Sequence, residues 1–317
     1  MPSEQYDQLK RRATSLLDPT LTERINELLV GAVDLHCHSG PAAMPRILDH
    51  HDAMQDANEA QFKAIVYKDH FYGGMAHAQI LETLFPDSKV KLFSGIVLNN
   101  ATGGINPYAV NAAIRIGAKI IWMPTLSAAN HIKNNDTGAK NFPKTSGKML
   151  KPIPLSVLDD NGNLTDDSLM ILDLIAEADI ALAGGHLHVS ELIPLFEAAK
   201  QRGVKKMLVN HPTFLIGVDD EQMQHLTKLG VYMEHSLCMF IENFKRGKAT
   251  YSPDEIVRLI KVAGIDRTLF CSDLGLQNAP PPVDGYRLFV QELLRLQLPD
   301  ADIRKLISGN GAALLGL

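Results

Sequence analysis

Short apolar runs rich in β-branched residues alternate along the chain with helix-length amphipathic segments. Eight of the runs read as strands. They are AVDLH from Ala32, AIVYK from Ala64, VKLFSGIV from Val90, AKIIWM from Ala118, IALAGG from Ile180, KKMLVN from Lys205, VYMEH from Val231 and RTLFCSD from Arg267. Apolar positions recur at helical spacing over about 50–60, 75–84, 107–116, 166–177, 190–201, 219–229, 252–263 and 284–296. Each strand is therefore followed by a helix, the order of a parallel sheet with crossover helices.

Eight such units predict an α/β fold of the (β/α)8 TIM-barrel class rather than an open sheet. The residues before the first strand read as two helices, near 3–15 and 21–30, with Thr20 as the N-cap of the second. Residues 1–30 are then a helical extension and 31–317 the barrel, within a single domain over 1–317. The strand starts are fairly regular except for a jump of 62 residues from Ala118 to Ile180. That jump is a long loop after strand four, from Pro124 to about Leu164. It carries Lys133, Lys140, Lys144, Lys148 and Lys151 and a turn at Asp159–Asn163. In a barrel it lies on the catalytic face. A structureless loop of that length is uncommon, so it implies either a lid or an error in the strand count.

Composition narrows the partners. Hydrophobic residues at 45% and charged residues at 21% exclude disorder and a coiled coil. A net charge of −5 excludes the basic footprint of a nucleic-acid or acidic-membrane binder. No apolar run approaches the roughly 18 residues that span a bilayer, and the charged first thirty residues hold no signal-peptide core. Cys37, Cys238 and Cys271 are too few and too scattered for a disulfide framework. The expectation is a cytoplasmic protein acting on a small molecule, with no nucleic-acid or membrane partner. Self-association into a homo-oligomer is left open.

Twelve histidines in an acidic chain are the candidate chemistry. His36 and His38 flank Cys37 at the end of strand one. Side chains alternate along a strand, so Asp34, His36 and His38 share one face. His186 ends strand five, His211 ends strand six and Asp273 ends strand eight. Neutral imidazoles and one carboxylate, each the first ionisable group beyond an apolar strand, are the donors a divalent metal takes. His70 and His188 stand near strand ends as weaker substrate contacts, and Asn99 belongs to an uncharged rim after strand three. His235 reads equally as a supporting or a core residue. His50, His51, His77 and His225 fall in helical stretches and read as packing or surface. His131, in the long loop, is undecided.

This set resembles the amidohydrolase superfamily, metal-dependent hydrolases built on a (β/α)8 barrel. The resemblance rests on His36-Cys37-His38, His186, His211 and Asp273, and the phrases GGHLH, VNHP and SDLG are similar to an amidohydrolase-like branch. It implies one or two divalent ions, zinc as the expected ion with manganese as the alternative, and an activated water. The family's binuclear members place a carbamylated lysine or a glutamate on strand four. Here strand four ends IIWMPTLS, with neither, and Lys68 at the end of strand two is the nearest substitute. The implied ligands are thus His36, His38, His186, His211, Asp273 and Lys68. Asp273 takes a proton from the water and hands it to the leaving group, and His211 or His186 polarises the substrate oxygen. The expected reaction is hydrolysis of an amide, cyclic amide or ester bond of a small polar substrate. The alternative is a metal-dependent decarboxylase or hydratase on the same barrel, which the missing strand-four bridge favours.

Overall fold

The apolar runs become strands shorter than the runs themselves, because their flanking residues turn into the connections. The structure, a computed structural model, describes residues 4–137 and 144–317. The strands are β1 (Val33–Cys37), β2 (Ala64–Tyr67), β3 (Lys91–Val97), β4 (Ile120–Trp122), β5 (Ala181–Ala183), β6 (Lys206–Asn210), β7 (Tyr232–Ser236) and β8 (Thr268–Cys271). The helices are α1 (Glu4–Ser15), α2 (Thr22–Leu29), α3 (His50–Glu59), α4 (Met75–Leu84), α5 (Pro107–Ile116), α6 (Ala129–Asp136), α7 (Asp166–Ala178), α8 (Val189–Gln201), α9 (Asp220–Leu229), α10 (Asp254–Ala263), α11 (Pro282–Arg295), α12 (Asp300–Arg304) and α13 (Asn310–Leu315). The eight strands form one sheet in sequence order. At least one helix follows each, which is the predicted (β/α)8 TIM-barrel class. The residues of β1, β2, β4, β5 and β8 are buried throughout, as strands covered on both faces must be.

The chain divides into two compact units. The first comprises Met1–Tyr67, His77–Phe93 and His235–Leu317. In it β1 pairs with β2 from Val33↔Ala64 to Cys37↔Tyr67, and Cys37 also bridges Leu274 just past β8. Tyr286 on α11 ties the two outer strands, its hydroxyl 3.2 Å from the carbonyl of Val33 and 3.1 Å from that of Phe270. Its ring meets that of Phe62, and Leu35, Tyr67, Phe270 and Phe289 are buried in the same unit. The helical extension docks through Asp56 of α3, which accepts from the Tyr6 hydroxyl and pairs with Lys10 at 2.6 Å. One expectation fails here. Thr20 does not cap α2; the N-cap is Leu21, with no side-chain bond, and the Thr20 hydroxyl instead donates to Asp18 at 2.7 Å. A nearer acceptor two residues upstream has captured it.

The second unit comprises Lys68–Ala76 and Ser94–Glu234. Its strands pair in parallel from Gly95↔Ile120 through Trp122↔Ala183 and Ala183↔Leu208 to Asn210↔Glu234. The long excursion after β4 is not structureless. It carries α6, and Ala128 then bridges Leu155. The turn at Asp159–Asn163 forms as an Asx turn, with the Asp159 carboxylate accepting from the amides of Asn161 and Asn163 at 2.9 Å each. The strand count therefore stands, and α6 accounts for part of the length. Lys133, Lys144, Lys148 and Lys151 are exposed; Lys140 lies outside the described residues.

Candidate functional site

In the first unit, β1 and β8 converge on three of the expected ligands. The Asp34 carboxylate sits behind them. Its Oδ1 accepts from the backbone amides of His36 and Ser272, at 3.0 Å each. The Ser272 hydroxyl and the Asp273 amide both donate to the carbonyl of His36, at 3.0 and 2.8 Å, and the His38 amide donates to the carbonyl of Leu274 at 2.9 Å. This lacing sets the two chain segments side by side just past the strands. Nε2 of His36 and Nε2 of His38 each lie 3.2 Å from Oδ1 of Asp273. The other carboxylate oxygen accepts from the Ser236 hydroxyl at 2.8 Å. Asp273 holds φ at +49°, a left-handed conformation unusual for a non-glycine residue and one that clusters at functional sites.

Electrostatics keep this group ready for a cation. Burial pushes His38 down to about 3, with Arg46 adding to the effect and the bond to Asp273 opposing it. The imidazole is therefore neutral at pH 7, with a lone pair to offer. Burial also raises Asp34 above the usual carboxylate range, against the pull of its bonds to Ser272. The side chains of His36 and His38 are 1% and 3% exposed, whereas that of Asp273 is 19% exposed. The carboxylate is the face of the group that reactants can reach.

The second unit gathers a different cluster. His186 follows β5, His211 follows β6, His70 follows β2, and His131 rides on α6; all four are buried. The rings of His186 and His211 are 5.0 Å apart and those of His70 and His186 are 6.2 Å apart. Nδ1 of His131 lies 2.8 Å from Nδ1 of His186. Burial pushes His131 down to about 4, and burial followed by His211 holds His186 well below the ordinary histidine value. Gly185, at φ +62°, aims His186. A Cβ there would fall 2.2 Å from the carbonyl oxygen of Met123, so only glycine lets the chain pass the end of β4 so closely. His211 also adopts a left-handed conformation, φ +33°, while its amide donates to the carbonyl of Glu234 at 2.6 Å. Lys68 is buried, its Nζ 5.6 Å from the centre of the Trp122 ring.

A family model described as "Family of unknown function (DUF6282)" matches residues 31–234. The chain belongs to the DUF6282 family. The matched span contains His36, His38, Lys68, His186 and His211 and stops short of Asp273. No curated protein matches the chain. Among solved structures, the DUF6282 chain is similar to an amidohydrolase from Pseudomonas aeruginosa, with 13% identity, 92% of this chain and 98% of that chain covered, and a TM-score of 0.61. It is also similar to a probable dipeptidase from the same organism, with 12% identity, coverage of 95% and 98%, and a TM-score of 0.64. A third likeness is to 2,6-dihydroxybenzoate decarboxylase, with 12% identity, coverage of 91% and 100%, and a TM-score of 0.51. These identities carry the barrel fold alone and leave the reaction to the site.

Among the described residues of the DUF6282 chain, two groups could hold a metal: His36, His38 and Asp273, and Asp49, His51 and Asp52. The second is the N-terminus of α3, where Asp49 and Asp52 are occupied by a capping box. The first fits a divalent ion by its donor set, two imidazoles and one carboxylate with their ligand atoms within 4.8 Å of one another. His186, His211 and Lys68 are not in either group.

Two residues expected near substrate have other work. All four hydrogen-bonding positions of the Asn99 amide are used. It donates to the carbonyl of His70 at 2.9 Å and to the Thr125 hydroxyl at 2.8 Å, and accepts from the amides of Thr125 and Ser127 at 2.8 and 3.0 Å. His188 is the N-cap of α8, its Nδ1 accepting from the Ser190 amide at 3.3 Å. His70 stays beside the cluster, its Nδ1 2.9 Å from the Thr125 hydroxyl. His235 packs against Phe270, and His50 stacks on Tyr67. Sequence reasoning did not find Ser236 or the roles of Asp34 and His131. The first two bear no motif. His131 was visible only as a histidine inside a loop.

Proposed function

We propose that this chain is a metal-dependent hydrolase acting on an amide, cyclic amide or ester bond of a small polar substrate. The observation that carries the reading is the convergence of two buried imidazole nitrogens on one oxygen of a more exposed carboxylate, 3.2 Å from each. His36, His38 and Asp273 would hold the divalent ion, zinc or manganese by the nature of the donors. Bound there, such an ion polarises the substrate oxygen and lowers the pKa of a water towards neutrality. The remaining work belongs to the chain. Asp273 is the proton acceptor, because its carboxylate alone of the three side chains is accessible. Ser236 clamps Oδ2, so the carboxylate cannot swing away as it gains a proton. That proton then passes to the leaving group. Asp34 holds both segments in register from behind. The similar structures named amidohydrolase and probable dipeptidase support a hydrolase.

Asp273→Asn tests the assignment. The amide keeps the size of the side chain and the bond from Ser236, so the fold and its melting temperature should persist while turnover of amide and ester substrates disappears. Elemental analysis of His36→Ala/His38→Ala should show the metal gone. Full turnover in Asp273→Asn, or undiminished metal in the double variant, would sink the reading. The decarboxylase alternative is kept by one observation: β4 ends at Trp122 and is followed by Met123 and Pro124, with no lysine or glutamate there to bridge a second ion. Release of CO2 from a carboxylic acid substrate without a hydrolysis product would establish it.

A further inference from the structure

The long excursion after β4 begins with α6, and two successive residues of that helix grip one histidine. Asn130 donates through its side-chain amide to the carbonyl of His186 and to the carbonyl of Leu215, at 3.1 Å each. His131 meets the ring of the same histidine, Nδ1 to Nδ1 at 2.8 Å. The two rings are within 17° of coplanar and their centres are 4.9 Å apart. That separation is close to the nitrogen–nitrogen distance extended by both ring radii, so the rings meet edge to edge and in line. Two lone pairs cannot face each other in line at this distance. An ion cannot sit between them either, since there is no room for two metal–nitrogen bonds of about 2.0 Å along one line. One proton, shared as N–H···N, is what the geometry accommodates.

We propose that His131 is a positioning residue that locks His186 into a single neutral tautomer. Of the two rings, one carries its proton on Nδ1 and the other on Nε2. The free edge of His186 is therefore committed either to donating a hydrogen bond or to offering a lone pair, and it does not alternate between them. Asn130 fixes the backbone of His186 while His131 fixes its ring, so α6 sets both the place and the chemistry of that edge. Burial of both rings and their low affinity for protons agree with a pair that stays neutral. The lock itself stands on this geometry alone; its use in turnover rests on the hydrolase reading together with the role the resemblance implies for His186 or His211, polarising the substrate oxygen.

The test is a long-range proton–nitrogen NMR spectrum of full-length protein labelled with 15N-histidine, at pH 7, with His186→Gln to assign the signals. The wild type should show His186 with one protonated and one bare nitrogen at well-separated shifts. His131→Leu should bring the two signals together, as the tautomers interconvert. His131→Asn, which keeps a polar atom at the position of Nδ1, should restore the separation; it also serves where the leucine variant fails to fold. A tautomer-averaged His186 in the wild type overturns the proposal, and so does an unchanged pattern in a folded His131→Leu. For catalysis, His131→Leu should lower kcat at least tenfold with little change in KM, and His131→Asn should recover most of it. An equal kcat in both variants and the wild type overturns the positioning role. Absence of metal or hydrolysis in the wild type would refute the proposed function while leaving the spectra decisive for the lock.

Discussion

Gly275→Ala puts the lacing between β1 and β8 to its sharpest test. Gly275 has φ +110° and lies directly behind His38. A Cβ built there falls 1.6 Å from the His38 carbonyl oxygen, 2.6 Å from its carbon and 3.2 Å from its Cβ. The first of these is shorter than any non-bonded contact, and the obstacle is backbone, which cannot turn aside as a flexible side chain can. Either the segment after β8 or the peptide of His38 must shift by more than an ångström. The positive φ costs about 1–3 kcal/mol for a residue with a side chain, and forced overpacking about 1–3 kcal/mol more. Displacing His38 also weakens its amide bond to Leu274, worth roughly 1 kcal/mol. A total of about 3–7 kcal/mol should lower the melting temperature by roughly 5–10 °C in a chain of this size. Because His38 moves relative to Asp273, bound metal measured by elemental analysis should fall as well. Gly162→Ala is the control. Its φ is +82°, but nothing lies within 4 Å of the added Cβ, so it should cost only the backbone strain and leave metal binding intact. A Gly275→Ala protein that melts with the wild type and retains its metal would refute the close approach of the two segments.

Two more expectations concern the frame around the sites. Asn99→Leu strands the amides of Thr125 and Ser127 and the carbonyl of His70 without their partner. At about 1–3 kcal/mol for each buried unpaired group, urea unfolding should show a loss of at least 3 kcal/mol, and a loss below 1 kcal/mol would contradict the network. His50 is pushed down to about 4, by burial first and then by His77, with Arg46 adding and Asp49 opposing. A histidine whose pKa is lower folded than unfolded stabilises the protein fully above pH 6.5, and that contribution is lost as pH falls towards 4. Its size is on the order of 3 kcal/mol for a shift of this extent. The melting temperature of the metal-free protein should therefore drop between pH 6.5 and 4, and less steeply in His50→Gln; parallel curves would remove His50 from the account.

The repeated strand–helix order was legible because the sheet is covered on both faces. Parallel strands so covered read as unbroken apolar runs, and the helices between them need an apolar stripe to pack on those runs. The helix α6 escaped for a physical reason. Its sequence, ANHIKNND, has one large apolar residue, and its N-cap, Ala128, makes no side-chain bond. Neither periodicity nor a start signal announces it. What orders it is tertiary: Asn130 reaching two carbonyls and His131 reaching His186. Asn99 is ambiguous in the sequence for a related reason. An uncharged amide in a rim loop is equally suited to bind a substrate or to join two chain segments, and only the positions of its four partners decide.

The clearest case is a motif that occurs twice. His36-Cys-His38 and His186-Leu-His188 have the same spacing, and alternation along a strand would give each pair a common face. Alternation holds only while the backbone stays extended and paired. After β1 it does: Cys37 bridges Leu274, and the His38 amide bonds the same residue, so both imidazoles reach one carboxylate. After β5 it does not. The strand ends at Ala183, Gly185 turns the chain at φ +62°, and by His188 the backbone has become the cap of α8. His186 then faces His131 and His211 while His188 faces Ser190. The two glycines before the second motif carried the warning. A pair that permits positive φ before a helix start is a place where strand periodicity should be abandoned, and histidines beyond it should be assigned one at a time.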